Sequence, residues 1–289
     1  GAIQEGIPDH VPIPYSEQVN AGEPLFSQFK QNHDHDFSYC VEFEHGDYSK
    51  SYMNPNQTYY QAQHFQWNYS GSNDLSSTIC PRYSYEAITP ITNDAAALKA
   101  QIAQLQPRAG TQIFQGVKWG AALLDPKMQP VAANLAANGD LPSIYSNRPL
   151  EYDNPESLKT IILMTDGKNS HSMRLKEPKY NSESDYVHWN RYNLWYYLYR
   201  NVRSSKRGQF YREKHSAQEA DEYTQSICSA AKDQGIVIWS IGFEVDDHGA
   251  NVMENCASSP SHFFRVEGIE ISEAFDAIAR QINQLRLTQ

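Results

Sequence analysis

Thr160-Ile161-Ile162-Leu163-Met164-Thr165-Asp166-Gly167, followed by Lys168 and Asn169, is the stretch on which the fold turns. Four consecutive apolar residues led by β-branched Ile161 and Ile162 read as a strand buried on both faces. Such strands lie inside parallel sheets covered by helices. The run stops abruptly at Thr165-Asp166-Gly167, which puts a hydroxyl and a carboxylate at the carboxyl end of a central strand. Open α/β sheets hold their ligand sites there. Taken alone, the same tripeptide also reads as a polar turn, because Asp-Gly closes many of them.

The neighbouring sequence supports the first reading. Gly235-Ile236-Val237-Ile238-Trp239-Ser240-Ile241-Gly242-Phe243 is a second strand of the same kind. Between the two, Ser216 and Glu219 form a capping box that opens a helix through Ala220, Tyr223, Ile227 and Ala231, ending at Gly235. A helix over 113–124 carries Val117, Leu123 and Leu124 inward, with Gly116 and Gly120 permitting close packing. Thr92 or Asn93 can cap a helix whose Leu98, Ile102 and Leu105 recur at helical spacing before Pro107. A final helix from Ser272 to Leu285 aligns Phe275, Ile278, Ile282 and Leu285 on one face. Alternating buried strands and amphipathic helices predict an α/β protein with a doubly wound, mostly parallel sheet.

Two segments interrupt this pattern and set the expected organisation. Residues 1–30 hold an early strand, Val11-Pro12-Ile13-Pro14-Tyr15-Ser16-Glu17-Gln18-Val19-Asn20. Residues 31–87 are rich in Tyr, Asn, Ser, Gln and His and poor in aliphatics, so they should form an irregular lobe against the sheet, with Cys40 to Glu44 alternating as a half-buried strand. Residues 88–167 and 216–289 make the sheet core. Residues 168–215 interleave Tyr186, Trp189, Tyr192, Trp195 and Tyr196 with Arg191, Arg200, Arg203, Lys206, Arg207 and Arg212. Such residues bind single-stranded nucleic acid by stacking, dominate protein interfaces, or pack as a helical hairpin. Because the segment leaves from the Thr-Asp-Gly turn, it should overhang the strand ends. Trp189, Arg191, Trp195 and Tyr196 are the candidate partner-binding residues.

The net charge of −10 argues against nucleic acid and anionic membrane surfaces as main partners. The longest apolar run, Ile236 to Phe243, is far short of the roughly 18 residues that a membrane span needs. No signal peptide is visible, and the opening Gly1-Ala2 suggests a trimmed or processed fragment with any leader or anchor upstream. Cys40, Cys80, Cys228 and Cys256 contain no C-x-x-C pair, which disfavours a thiolate zinc site. Four buried free thiols are one reading. Two disulfides are the other: Cys228 and Cys256 flank the Ile236 strand, while Cys40 and Cys80 bracket the polar segment and would restrain it.

Several of these elements carry a family resemblance. The Thr160 strand resembles the second carboxylate motif of the von Willebrand factor A fold. Arg108-Ala109-Gly110-Thr111-Gln112-Ile113 resembles its Gly-Gly-Thr-x-Ile element, and the Ile236 strand its next core strand. The likeness is closest to TadG-type proteins of bacterial tight-adherence (Flp) pilus systems. Val11 to Asn20 resembles their V-P-F-S-x-x-V-N strand, Cys40-Val41-Glu42 their G-C-I-E, and Cys80-Pro81 with Ile88-Thr89-Pro90-Ile91-Thr92 their C-P and I-x-P-L-T. Gly116-Val117-Lys118-Trp119-Gly120 is similar to their G-x-x-W-G, and Ile161 to Asn169 to I-I-L-M-T-D-G-x-N.

The resemblance implies a metal-ion-dependent adhesion site in which Thr111 and Asp166 are ligands. Its first motif, D-x-S-x-S at the end of strand 1, occurs nowhere in this sequence. A chain without that strand should have a gap in its sheet and unpaired edges. Two oxygen ligands make a weak Mg²⁺ site, so metal binding should be weak or absent here. The implied function is a non-enzymatic protein-binding or adhesion module of the bacterial envelope, whose partner is a pilus or envelope component or a host or surface ligand. A hydrolase using the strand-end carboxylates, or a metal-free structural pilus component, are the alternatives. The sequence carries no G-x-S-x-G, H-E-x-x-H or P-loop. His33-Asp34-His35-Asp36 reads as a solvated loop or a metal cluster, and Asp246-Asp247-His248 as a surface turn or part of a strand-end site.

Overall fold

The computed structural model describes residues 11–288 except Tyr15, Tyr69, Ser70 and Pro90. In chain order the first half contains α1 (Glu23–Phe26), β1 (Lys30–Asn32), β2 (Val41–Glu42), β3 (Thr58–Gln61), α2 (Ala95–Ile102), α3 (Ile113–Leu124) and α4 (Gln129–Asn138). There follow β4 (Thr160–Thr165), β5 (Ser172–Leu175), α5 (Glu183–Arg191), α6 (Leu194–Asn201), α7 (Ser204–Arg207) and β6 (Tyr211–His215). The chain closes with α8 (Ala217–Asp233), β7 (Val237–Phe243), α9 (Asp247–Cys256), β8 (Phe263–Val266) and α10 (Glu270–Thr288).

The two strands read from the sequence lie side by side and parallel. β4 pairs with β7 from Thr160↔Val237 to Thr165↔Gly242, and β7 pairs in parallel with β8. On one face, Ile161, Leu163 and Ile238 join a core with α3, α8 and α9. Gly120 of α3 faces Ile161 of β4, where a Cβ would make only ordinary contact at 3.7 Å, so glycine is not required for this packing. On the other face, Trp239, Ile241 and Val266 meet Ala274 and Ile278 of α10. Helices cover both faces, so the sheet is doubly wound.

β4 departs from the sequence reading in one respect. Its burial alternates, leaving Ile162 43% and Met164 40% exposed. The strand order β4-β7-β8 places β4 at an edge, and α10 packs over β7 and β8 rather than over β4. Among the described residues no strand lies on the far side of β4. Strands β1, β3 and β2 form a separate small sheet. The early strand expected over 11–20 is not formed by the described residues. Only Asn20 makes bridges, to Cys40 and Ala87, and Tyr15 lies outside the described residues, as do Pro90 of the Ile88–Thr92 element and Tyr69 and Ser70 of the glycosylation-type Asn68-Tyr69-Ser70.

The tyrosine-rich segment is more than a lobe lying against the sheet. Val41, Phe43, Tyr48, Met53 and Tyr59 are part of the main core. Phe29 and Phe43 make edge contacts with Trp119 of α3 at 6.0 and 5.9 Å. Aromatic rings thus supply the apolar area that the missing aliphatics would have given. The seam also buries Lys118, whose ammonium donates to the carbonyls of Asp47, Lys50 and Tyr52 at 2.7, 2.7 and 2.8 Å. All three donors are satisfied, although burial still pushes the amine down to about 8.

Both cysteine pairs are bonded: Cys40–Cys80 ties the ends of the polar segment, and Cys228–Cys256 ties α8 to α9. Ser216 and Glu219 cap α8 reciprocally, and Gly235 ends it at φ +77°. Asp94, rather than Thr92 or Asn93, caps α2. No residue of α2 is buried, because the helix lies on the surface and Ile102 faces solvent. In α10, Ile278 and Ile282 face inward while Phe275 does not.

The 168–215 insertion has its own small core. β5 and β6 pair antiparallel, and Leu175, Tyr180, Trp189, Leu194 and Leu198 cluster with Phe65 and Ile79. The bonds that tether α5 and α6 join them to residues 66–82: Arg82 donates to Asn190 Oδ1, the Asn193 amide donates to the carbonyls of Asn68 and Asp74, and Leu194 N–H donates to the Gln66 carbonyl.

Candidate functional site

The carboxyl ends of β4 and β7 open onto three loops, and the residues singled out in the sequence converge there. Gly110-Thr111 precedes α3, Asp166-Gly167 follows β4, and Val245-Asp246 follows β7. Thr111 Oγ1 is 3.5 Å from where a Gly167 Cβ would stand, so the two motif segments meet. The Thr111 carbonyl accepts from Ser170 N–H at 3.0 Å and Ser170 Oγ at 3.2 Å. Gln112 Nε2 donates to the Ser170 carbonyl. Asn169 completes the lock. Its Oδ1 accepts from Ile113 N–H at the start of α3 (2.7 Å), and its Nδ2 donates to Asp221 Oδ1 at 2.8 Å and Thr224 Oγ1 at 3.1 Å on α8.

Two non-glycine residues at this end hold left-handed backbone, Ala109 and Glu244, each at φ +53°. Such conformations cost of order 1–3 kcal/mol and cluster at functional sites. Gly110 and Gly249 are placed where the loops touch. A Cβ on Gly110 would meet Ser170 Oγ at 2.6 Å, and one on Gly249 the Gly167 carbonyl at 3.1 Å.

The charges are arranged around one exposed carboxylate. Asp166 is exposed and its side chain makes no hydrogen bond among the described residues. Asp246 caps α9 through Gly249 N–H at 2.8 Å and pairs with Lys168 Nζ at 2.9 Å. Those contacts hold Asp246 below the usual carboxylate range, and its bond raises the Lys168 ammonium. His248 Nε2 lies 2.7 Å from Asp221 Oδ2. Asp246, Asp247 and His248 therefore open a helix rather than a turn, and they do join the strand-end cluster. His33 to Asp36 do not converge: His33 pairs with exposed Asp36 while His35 is buried.

Beneath the loops lies a buried charge network that sequence reading missed. Glu17 accepts from Trp67 Nε1 at 2.8 Å, Gly110 N–H at 3.3 Å and Ser172 Oγ at 3.2 Å. Arg174 binds Glu42 through Nε and Nη2 at 2.6 and 3.1 Å and Ser172 Oγ at 2.8 Å. Burial raises the Glu17 carboxyl. Burial also pushes Glu42 upward, but the charge and bonds of Arg174 overcome it and hold Glu42 low. The one sequence signal was Glu42, a charged residue between apolar Val41 and Phe43; Glu17, between Ser16 and Gln18, gave none.

The candidate partner-binding residues separate. Trp189 is 2% exposed and donates to the Lys179 carbonyl at 2.7 Å. It is a core residue, not a surface anchor. Trp195 and Tyr196 are half-buried and Arg191 is exposed. Truncating Trp189 to alanine should cost about 3–5 kcal/mol, whereas Tyr196→Ala should stay within about 1 kcal/mol of the parent. Thermal melts of the two variants check this, and equal losses would contradict the assignment.

No family model matches the chain, and neither does any curated protein. Among solved structures it is similar to the vWF domain of the type V pili tip protein Mfa5 from Porphyromonas gingivalis. The identity is 18% over 67% of this chain and 74% of that one, with a TM-score of 0.36.

Proposed function

We propose that this chain is a non-enzymatic protein-binding module of the bacterial envelope, acting in pilus assembly of the tight-adherence type, with the strand-end loops as its contact surface. One observation carries the reading. The Gly110-Thr111 and Asp166-Gly167 elements, distant in sequence, meet at the carboxyl end of a parallel sheet and are locked by Asn169 and Ser170. Asp166 is left exposed to accept a cationic side chain or hydrogen-bond donor from a partner, and on the same loop exposed His171 meets half-buried Trp67, with ring centres 5.1 Å apart and planes tilted by 48°. Arg191, Trp195 and Tyr196 extend the contact surface on the insertion. Two disulfides suit an oxidising compartment. No described helix is long and apolar enough to cross a membrane.

The donors around Asp166 do not fit a tight Mg²⁺ site. Asp246 is engaged by Lys168 and Asp221 by His248, and no group of three or more His, Cys, Asp or Glu among the described residues is placed to hold a metal. Recognition in this reading runs through side chains alone.

A photo-crosslinking residue at position 171, in the native envelope, should capture a discrete protein. The same residue in place of exposed Ile144, on the loop after α4, should not. The adduct should survive chelation of divalent ions. Identical adducts at both positions, or none at position 171 in folded, exported protein, overturn the reading. An adduct lost on chelation overturns its metal-free part.

A further inference from the structure

Charge is distributed unevenly along this chain. Residues 168–215 carry eleven Lys and Arg against four Asp and Glu, a net +7 in a protein whose total is −10. From Tyr186 to Arg212 there is no carboxylate at all. Arg191, Arg200, Arg203, Lys206 and Arg212 are exposed there, and none forms an ion pair among the described residues. The surface is also held in shape. The Arg200 guanidinium stands 4.3 Å from the Tyr196 ring centre, and Arg207 stands 4.2 Å from that of Tyr199 while donating to the Leu198 and Val202 carbonyls at the end of α6. Tyr192 and Tyr199 are exposed between the cations. Fixed like charges without counter-charge, interleaved with Tyr and Arg, are the composition of a docking surface for an acidic one.

The same chain supplies such a surface. From Val266 to Ala279 there are four acids, Glu267, Glu270, Glu273 and Asp276, and no cation. All four are exposed, and between them Ile269 is 85% and Phe275 41% exposed. This acidic and apolar half of α10 covers the β7–β8 face, whereas the basic surface belongs to the separate core around Trp189. No hydrogen bond or ion pair joins the two surfaces among the described residues.

We propose that the basic, aromatic surface of α6, α7 and β6 docks the acidic first half of α10 of a second copy of this chain. The contact is head-to-tail, so a joined pair keeps one free surface of each sign, one on each copy, and the contact can repeat into open chains. Net repulsion between copies is screened beyond about 8 Å at physiological ionic strength, while pairs in contact are not. The assignment does not depend on the strand-end reading, because Asp166 takes no part in it.

Sedimentation velocity on the intact, disulfide-bonded chain from about 1 to about 100 μM should show the average mass rising above the 32.9 kDa of one copy. Raising salt from about 50 to about 500 mM should reverse it. One variant carries Arg200→Glu, Arg203→Glu and Lys206→Glu, and a second carries Glu270→Lys, Glu273→Lys and Asp276→Lys. Each alone should self-associate at least about tenfold more weakly. Mixed, they should assemble again, because the acidic α6–α7 of the first then faces the basic α10 of the second. The inference is overturned by a parent protein that stays at one copy throughout, by charge-reversed variants that associate like the parent, or by a mixture that does not assemble. A monomeric parent that binds a sulfated polysaccharide through Arg200, Arg203 and Lys206 also overturns it and gives the surface to a glycan.

Discussion

Arg174→Met is expected to destabilise the fold by roughly 3–5 kcal/mol, which lowers the melting temperature by roughly 6–20 °C. The loss does not come from the missing bonds alone. Arg174 is a buried cation beside two buried carboxylates, Glu42 and Glu17. Removing it leaves Glu42 without its bidentate partner and with only Lys214, at 3.7 Å, to replace it. Glu17, already raised by burial, loses the nearest opposing charge. A buried carboxylate without a counter-charge either takes up a proton or opens a path for water, and both cost stability. Because Glu17 also receives the Gly110 N–H, the variant should loosen the Thr111 loop. Adding Glu42→Gln to Arg174→Met should restore part of the loss by removing the orphaned charge. Denaturant melts of the parent, single and double variants decide this. A single variant within about 1 kcal/mol of the parent would mean the network is solvated and not structural.

How much of this was legible beforehand follows from the range of the forces. β4, β7, α3 and α8 were readable because their signals are local: an apolar run, a 3.6-residue period, a capping box, a glycine at φ > 0. The cysteine pairing followed from flanking positions. Edge position was not local. Ile162 and Met164 look like core residues in sequence and are open because no described strand or helix closes that side of β4. The tyrosine-rich segment misled for a related reason, since aromatic residues scattered among polar ones carry no period yet converge on Trp119. At the site, Thr111 and Asp166 were found by motif, but what holds them was not. Glu17, Arg174, Ser170 and Asp221 act across separations that only the folded chain closes. Trp189 and Trp195 are alike in composition and differ only in which way the helices turn them.

Acidification is expected to unfold the protein well above the usual carboxylate range, because three histidines are buried neutral. His64 is fully buried, with Nδ1 2.7 Å from Ser38 Oγ. Around it stand the rings of His35 and Phe37 and the Arg82 charge, with the Tyr180 hydroxyl on its backbone N–H and Asn190 as the one neighbour favouring the cation. Burial first, then His35 and Arg82, pushes it down to about 3. His35 faces Gln61, Phe37 and Tyr186, with His33 opposing and Asp36 favouring its charge, and burial takes it down to about 4. His215 sits among Tyr48, Phe114 and Tyr223, neither ring nitrogen has a hydrogen-bond partner, and burial with Arg174 beside it brings it to about 4, against Glu42 and Glu219.

Each folded value lies below the unfolded value of about 6.5, so the unfolded chain binds the proton more tightly. The stability these residues contribute is complete above about pH 6.5 and drains as pH falls toward the folded values, at about 1.4 kcal/mol per unit for each. By about pH 5 the three together cost about 6 kcal/mol, comparable with the whole stability of an ordinary domain. Glu17, Asp34 and Glu86 work the other way, since burial raises them and the folded chain takes up their protons more readily. They titrate at or above the ordinary carboxylate range and soften the loss. Urea melts from about pH 7 to about pH 4.5 should show the midpoint falling steeply below about pH 6.5. His215→Phe, which keeps a ring in an aromatic cage and removes one proton site, should flatten that slope by about a third with little change at neutral pH. A midpoint that holds level to about pH 5, or a His215→Phe slope equal to the parent's, would show that water reaches these rings and that they titrate as surface histidines do.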